Sequence, residues 1–263
     1  MSKLLIVMAF ANIIFLCNSS KSHNIFLLAG QSNMAGLGGV VNNTWEGVVP
    51  PECGPNHNIL KLNAKLRWKK AKEPLSSDID TKWTMGIGPG MPFANSILKK
   101  NSSFGVVCLV PCAISGTKMI EWAKGTSLYN QLIVRAKASL RKGGSIRALL
   151  WYQGESDTTL KPNADAYKGR LQTFFKDVRT DLESPDLLII QIALASGLNF
   201  TEMVREAQMN IGLPNIKVVD AKGLPLQLDN IHLTTPAQVR LGNLLADAFL
   251  STLSNKHYCN TNI

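Results

Sequence analysis

The chain has 263 residues, of which 45% are apolar and 17% are charged. This composition is typical of a globular protein with one sizeable core, and it excludes a largely disordered chain. The formal net charge is +10, but the basic residues are scattered and form no run interleaved with aromatic side chains, so nucleic acid is not expected as a partner.

The first twenty residues are predicted to be a secretory signal peptide. Lys3 precedes a short apolar run over residues 4–17, and small polar residues follow up to Ser20. Because this run is shorter than a comfortable membrane span of ~20 residues, a cleaved signal is favoured over an uncleaved anchor. We therefore expect a secreted, extracellular or cell-wall protein without stable membrane insertion, folded as one domain over residues 21–263.

If the protein is secreted, its positive charge and its glycosylation sequons can both be interpreted in terms of an extracellular setting. A basic extracellular protein favours polyanionic surroundings such as acidic polysaccharide, although the charge would equally serve solubility. Asn-x-Ser/Thr triplets provide three candidate glycan sites, at Asn42, Asn101 and Asn199.

The cysteines suggest disulfides. Four remain after the signal, at positions 53, 108, 112 and 259, and an even number in an oxidising compartment suggests up to two bonds. An extended chain advances ~3.3 Å per residue, so Cys108 and Cys112 are too far apart to bond to each other. Cys53 and Cys259 are then expected to pair with one each, in either arrangement. The alternative is that Cys108 is a free buried thiol.

Strand-like and helix-like segments alternate along the chain. Nearly continuous apolar runs predict strands buried on both faces, at residues 25–28, 104–110, 146–152, 187–194 and 216–219. Amphipathic segments between them predict helices, at residues 92–100, 128–142, 164–182 and 200–211. A last helix is expected to begin at Thr234 or Thr235, with Pro236 in its first turn, and to continue through Leu253. This alternation predicts an α/β fold with a central parallel sheet and helices on both faces.

Residues 37–90 do not fit the alternation. They show little periodicity and contain several Gly and Pro pairs. A loop of this length inside a compact domain is usually functional, so we expect a lobe over the edge of the sheet that shapes a ligand cleft. The alternative is a hidden strand at Ile59–Leu62.

Ser32 is the first candidate for chemistry. It follows the first strand-like run in a turn of small residues, which would place its hydroxyl at the carboxyl edge of a parallel sheet. A serine needs a base to become a nucleophile. Without other signals it would more often cap a helix. Gln31 and Asn33 are expected to brace the turn.

His232 and Asp229 supply a base and an acid three residues apart. His232 follows the last predicted strand and precedes the last helix, and the spacing lets Asp229 reach one ring nitrogen and fix the tautomer. Glu155 is the alternative orienting acid, and its other interpretation is that it holds a loop through backbone amides. We favour Asp229, so the predicted catalytic set is Ser32, Asp229 and His232.

Three motifs resemble those of the SGNH hydrolase superfamily: GQSNMAG from residue 30, WYQGESD from residue 151 and DNIH from residue 229. More narrowly, the mature chain resembles carbohydrate esterase family six, the sialate O-acetylesterase-like branch and the plant probable carbohydrate esterases. The resemblance implies a three-layer α/β/α sandwich, an esterase that removes acetyl groups from sugars, and no metal or organic cofactor. It also supports the roles of Ser32 and His232.

The resemblance also implies an oxyanion hole. Backbone N–H groups of Ser32 and Gly116 match the family positions. Gln153 is predicted as the side-chain donor, although the superfamily has an asparagine in this block. Trp122, Trp151 and Tyr152 are candidates for a sugar-facing cleft, the alternative being that they belong to the core. No Cys/His spacing in the sequence suggests zinc.

The sequence therefore predicts a secreted serine esterase that removes O-acetyl groups from carbohydrate, with cell-wall polysaccharide such as xylan or pectin, or an oligosaccharide, as substrate. The alternatives are a general esterase for small or lipid esters, a non-catalytic glycan-binding protein on a hydrolase scaffold, and an acyltransferase.

Overall fold

A seven-stranded sheet forms the centre of the computed structural model, which describes residues 22–259, with side chains described up to residue 253. The strands are, in chain order, β1 (His23–Gly30), β2 (Val40–Val41), β3 (Thr44–Trp45), β4 (Ile59–Leu62), β5 (Trp68–Lys70), β6 (Val106–Pro111), β7 (Ser145–Tyr152), β8 (Ile189–Ala193) and β9 (Ile216–Asp220). β2 and β3 form a separate hairpin, and the other seven are ordered β5-β4-β6-β1-β7-β8-β9. All neighbours in this sheet are parallel except β4 and β5, so the predicted, mainly parallel sheet is confirmed.

Helices cover both faces of the sheet. In chain order they are α1 (Ser32–Ala35), α2 (Gly90–Lys100), α3 (Ser127–Ser139), α4 (Lys161–Asp181), α5 (Thr201–Met209) and α6 (Thr235–Cys259). On one face, Phe26 of β1 packs its ring 4.9 Å from those of Phe93 in α2 and Phe249 in α6. On the other face, Trp151 of β7 lies 4.5 Å from Phe174 in α4. The result is the predicted three-layer α/β/α sandwich.

The register explains why these two clusters lie on opposite faces. Phe26 is aligned with Ala148, whereas Trp151 is aligned with Ala29. Because successive side chains of a strand point to opposite faces, residues 148 and 151 of β7 project in opposite directions. Each aromatic ring is almost completely buried, so both faces of β1 and β7 are closed to solvent, as in other parallel sheets.

The irregular region at residues 37–90 contributes to the sheet as well as to a lobe. Ile59–Leu62 form β4, which pairs with β6, and β5 adds an antiparallel edge strand. The alternative of a strand at residues 59–62 is therefore confirmed. Its four residues are too few for the sequence pattern to identify it firmly. The rest folds back over the carboxyl edge, where Gly38 and Ile87 form a bridge.

The expected disulfide of Cys53 with Cys108 or Cys112 is wrong. All three are free thiols within the apolar core, where each packs as a small hydrophobic residue. Burial raises the pKa of Cys108 to about 12 and that of Cys112 to about 11, so both remain protonated. The side chain of Cys259 and the predicted signal at residues 1–20 lie outside the described residues. Within the described part, no helix has the length and apolarity needed to cross a membrane.

Candidate active site

Ser32 lies at the carboxyl edge of the sheet, where β1 ends and α1 begins. Gly30 permits this turn, because its φ of +132° favours glycine and a Cβ there would lie 2.0 Å from the Tyr152 carbonyl oxygen. The N–H of Gln31 donates to that same carbonyl at 2.8 Å. The turn therefore holds Ser32 beside the central strands, at the edge where parallel α/β sheets bind ligands.

His232 connects Ser32 to Asp229. It lies in the loop between β9 and α6, with Nε2 at 3.0 Å from Ser32 Oγ and Nδ1 at 2.6 Å from Asp229 Oδ2. Asp229 Oδ1 also accepts hydrogen bonds from the N–H groups of Ile231 and His232, each at 2.9 Å. The structure thus joins the three predicted residues through hydrogen bonds, although Ser32 and His232 are 200 residues apart in the sequence.

The Asp229 carboxylate is stabilised in its charged form. Partial burial opposes its ionisation, but the backbone N–H groups of His232 and Ile231 and the His232 ring outweigh burial, so the pKa of Asp229 is lowered. An ionised Asp229 keeps the proton of neutral His232 on Nδ1 and leaves Nε2 as the acceptor toward Ser32. His232, oriented by Asp229, can therefore take the proton from the Ser32 hydroxyl.

Asn33 fixes the position of His232 relative to Ser32. Its Nδ2 donates to Glu155 Oε1 at 2.8 Å and to the Ile231 carbonyl at 3.1 Å, and its Oδ1 accepts from the Leu233 N–H at 2.9 Å. Asn33 is fully buried, and it follows Ser32 directly in the chain. The side chain therefore holds the backbone on both sides of His232, whereas the sequence predicted that it braces the turn at Ser32.

Glu155 lies behind Asn33 and does not contact His232. Its Oε1 is bonded to Asn33, and its buried Oε2 has no hydrogen-bond partner in the described chain. Burial raises the pKa of Glu155 to about 7, more than its hydrogen bond from Asn33 lowers it. Between the two acids considered in the sequence, it is Asp229 that the structure places on the imidazole ring.

A cavity of about 570 Å³ opens above Ser32 and His232, and Ser115 and Gly116 form part of its wall after β6. Gly116 has a φ of +73°, and the Ser115 N–H is bonded to Asp80 Oδ2 at 2.7 Å. The N–H groups of Ser32 and Gly116 have no acceptor within residues 22–259. Ser32 and Gly116 both line the cavity, so each brings an unpaired backbone N–H donor to it.

Comparisons with known proteins identify the family. A family model described as carbohydrate esterase, sialic acid-specific acetylesterase, matches residues 22–251. An Arabidopsis thaliana protein named as a probable carbohydrate esterase is 50% identical over 236 residues, which cover 87% of this chain and 91% of that protein. The chain belongs to this esterase family. It is therefore a carboxylic ester hydrolase that acts on acetylated carbohydrate.

Solved structures share the fold of the esterase. A crystal structure of the Arabidopsis protein superimposes with a TM-score of 0.84 at 50% identity and covers 88% of this chain and 98% of its own. NanS gives a TM-score of 0.73 at 17% identity, covering 90% and 99%. A carbohydrate acetylesterase from Xanthomonas citri gives 0.63 at 18% identity, covering 86% and 55%. The last two likenesses concern the fold alone, which is that of SGNH hydrolases.

Gln153 is not placed where the sequence predicted it. It is fully buried and does not line the cavity. Its amide nitrogen donates to the Thr117 carbonyl at 2.8 Å and to Asp157 Oδ2 at 2.7 Å. An amide has two N–H donors, and these two bonds, with a longer one of 3.3 Å to Gln31 Oε1, occupy both. Gln153 therefore supports the loops of the esterase from inside and has no donor left for an oxyanion.

The sequence predicted only a bracing role for Gln31, but the structure also places its side chain in the cavity wall. Its Oε1 accepts from the N–H groups of Gly154 at 3.3 Å and Ser156 at 3.4 Å, and from Gln153 Nε2 at 3.3 Å. These donors fix which end of the amide is oxygen. Gln31 lines the cavity, and its Nε2 has no acceptor among the described residues. The signal in the sequence that could have indicated this is the position of Gln31, which lies next to Ser32 directly after β1.

The aromatic residues predicted for a sugar-facing cleft belong to the core. Trp122, Trp151 and Tyr152 are fully buried, and the two indole rings pack edge to face at 5.1 Å. The three therefore contribute to stability through apolar burial. Trp83, from the lobe, lies at the mouth of the cavity instead.

Proposed function

We propose that this esterase is secreted and removes O-acetyl groups from cell-wall polysaccharide or oligosaccharide through an acetyl-enzyme on Ser32. The observation that carries the proposal is the series of Asp229, His232 and Ser32, joined at 2.6 and 3.0 Å at the floor of the cavity. A cavity of about 570 Å³ is of the size that holds a small ligand.

In the first step, Ser32 Oγ attacks the acetyl carbonyl carbon while His232 Nε2 takes the hydroxyl proton. The tetrahedral intermediate collapses when the sugar oxygen leaves with the proton from His232, and the acetyl group stays on Ser32. Water then attacks the acetyl-enzyme with His232 as base, and acetate leaves as the serine hydroxyl is restored. Asp229 stabilises the imidazolium that forms in each half of the reaction.

Three N–H donors support the negative charge on the carbonyl oxygen. They are the backbone N–H groups of Ser32 and Gly116, as the sequence predicted, and the Nε2 amide of Gln31 in place of Gln153. Because the Gln31 oxygen is already bonded on its far side, the amide is oriented before substrate binds. Such preorganised donors stabilise the transition state more than the ground state.

Secretion rests on the pattern of residues 1–20. Support comes from the family match, which begins at residue 22, directly after this segment. Two of the three sequon asparagines, Asn42 and Asn199, have exposed side chains that a glycan could occupy. Sequencing the N-terminus of protein recovered from the medium of a eukaryotic secretory host tests this part. A mature chain that begins near residue 21 is expected, and retention of residues 1–20 would contradict it.

The activity is tested by acetate release from acetylated xylan and acetylated pectin. Ser32→Ala is expected to abolish release while the far-UV and near-UV circular dichroism stay unchanged. Ser251→Ala removes an exposed hydroxyl on α6 and serves as the matched control, with activity equal to that of the parent. Near-normal turnover by Ser32→Ala would remove the proposed mechanism.

A further inference from the structure

Trp83 leaves an indole face exposed at the mouth of the cavity. The residue is 53% exposed and lines the cavity. Within the part of the chain whose side chains are described, no aromatic ring and no cation packs against it. A large aromatic surface left uncovered beside a binding cavity indicates a contact surface for ligand.

Lys82 adds a free positive charge to the same wall. Its side chain is exposed and takes part in none of the ion pairs found within residues 22–253. Neither acid of the cavity wall pairs with Lys82, since Asp229 is bonded to His232 and Glu155 to Asn33. The mouth of the cavity therefore has a cation that is available to a ligand.

The segment that carries both residues is anchored at each end. Before it, Asp80 Oδ2 accepts the Ser115 N–H at 2.7 Å, which ties the segment to the wall beside the acyl site. After it, the Thr84 N–H donates to Asn43 Oδ1 at 2.8 Å, which ties it to the turn between β2 and β3. The backbone under the indole and the ammonium group is thus fixed before binding, which lowers the entropic cost of ordering it.

We propose that Trp83 and Lys82 form a subsite for an acidic glycan. A sugar ring next to the acetylated position lies against the indole, and a uronic acid carboxylate pairs with the Lys82 ammonium group. This inference rests on the proposed function and narrows its substrate to polymers that contain uronic acid, such as acetylated pectin. The net charge, which is +10 for the full chain and +9 once Lys3 is removed with the predicted signal, favours the same polymers by raising their concentration near the protein.

The test uses three substrates: an acetylated oligogalacturonide, an acetylated neutral xylo-oligosaccharide of equal length, and a small aryl acetate. Lys82→Glu is expected to lower the ratio of kcat/KM on the acidic oligosaccharide to that on the neutral one by about tenfold, mainly through KM. The same variant is expected to weaken the dependence of KM on salt for the acidic substrate, relative to the Lys99→Glu control. Lys99→Glu, an exposed lysine of α2 away from the cavity, is the matched control and should leave the ratio unchanged.

Trp83→Ala tests the contact between the sugar ring and the indole separately from the charge of Lys82. It is expected to lower kcat/KM on both oligosaccharides, relative to the aryl acetate, by about tenfold, and Trp83→Phe should restore most of the loss because it keeps an aromatic face. The inference is overturned if Lys82→Glu affects the acidic and neutral substrates equally, or if the parent hydrolyses only the neutral one. Either result would leave serine-dependent hydrolysis intact, because the Ser32→Ala comparison on the aryl acetate tests that separately.

Discussion

Glu155 accepts a hydrogen bond from Asn33 at 2.8 Å, and Asn33 in turn holds the backbone on both sides of His232. Glu155, which the sequence offered as an alternative partner of His232, therefore acts on the histidine only through Asn33. Glu155 is a positioning group for Asn33, whereas Asp229 contacts the ring directly. The two acids are expected to respond differently to substitution.

Removal of the Asn33 side chain should impair catalysis by loosening His232. Asn33→Ala leaves the buried Leu233 N–H without its acceptor, which is expected to cost about 1–3 kcal/mol in the free energy of unfolding. Because small misplacements of a catalytic group are costly, kcat on an aryl acetate should fall by at least about tenfold, with KM nearly unchanged. Steady-state kinetics below the unfolding transition measure both parameters.

Asn95→Ala is the matched control for this loss. Asn95 also donates to two backbone carbonyls, those of Glu52 and Gly54, each at 2.9 Å, but none of these residues lines the active-site cavity. Because Asn95 is only half-buried, a smaller loss of stability is expected, with unchanged kcat. Equal falls of kcat in the two variants would show that Asn33 acts only through stability.

Replacement of each acid by its amide should separate their roles. Asp229→Asn removes the negative charge that orients and stabilises the protonated imidazole, so kcat/KM should fall by about 100-fold or more. Glu155→Gln keeps an oxygen that can accept from Asn33 and should cost about tenfold or less. The pair is compared on an aryl acetate at one pH. A larger loss from Glu155→Gln would contradict the assignment of Asp229 as the orienting acid.

Glu155 should make the folded protein less stable as the pH rises. Burial raises its pKa from the usual 4.5 to about 7, so between these values the folded state binds more protons than the unfolded state. The free energy of unfolding then falls as the pH rises through this interval. Glu155→Gln removes the titration, and the variant should lose about 2 kcal/mol less than the parent between about pH 5 and about pH 8.

Urea unfolding at both pH values measures this difference. Glu206→Gln, an exposed carboxyl on α5, is the control and should follow the parent. Glu73 contributes in the same direction, because burial raises its pKa to about 8, so the comparison is made between variants. A parent that gains stability over this interval relative to Glu155→Gln would contradict the buried state of the acid.

Gln31 should matter for the chemical step because its Nε2 is the free side-chain donor at the cavity. Gln31→Ala is expected to lower kcat by about 100-fold, the usual effect of losing one oxyanion donor, with a smaller change in KM. Gln131→Ala, an exposed glutamine of α3, serves as control. If Gln31→Ala retained full kcat, the oxyanion would have to be held by backbone N–H groups alone.

The sequence predicted the features that depend on local patterns. Buried parallel strands produce continuous apolar runs, which is why β1 and β7 were found within a few residues of their ends. Ser32 and His232 were found because each follows a strand, and the carboxyl ends of parallel strands meet at one edge. The Asp229–His232 contact spans three residues and is itself local.

The remaining features depend on contacts between distant segments. Gln31 and Gln153 have the same side chain, and only hydrogen bonds between segments 36 and 123 residues apart decide which amide faces the cavity. The cysteines form core contacts, which their spacing does not reveal. Trp83 and the buried tryptophans differ only in what the fold packs against them, so the sequence left open whether the buried ones belong to the cleft or the core and did not indicate Trp83.

The acetyl-enzyme on Ser32 is the central claim, and it can be trapped directly. The protein is mixed with an aryl acetate, quenched in acid within the first turnovers, digested and analysed by peptide mass spectrometry. We predict one acetyl group on the peptide that contains Ser32, and none in the Ser32→Ala variant. Rapid hydrolysis with the acetyl group on another residue, or an acetylated Ser32→Ala variant that turns over, would contradict the account.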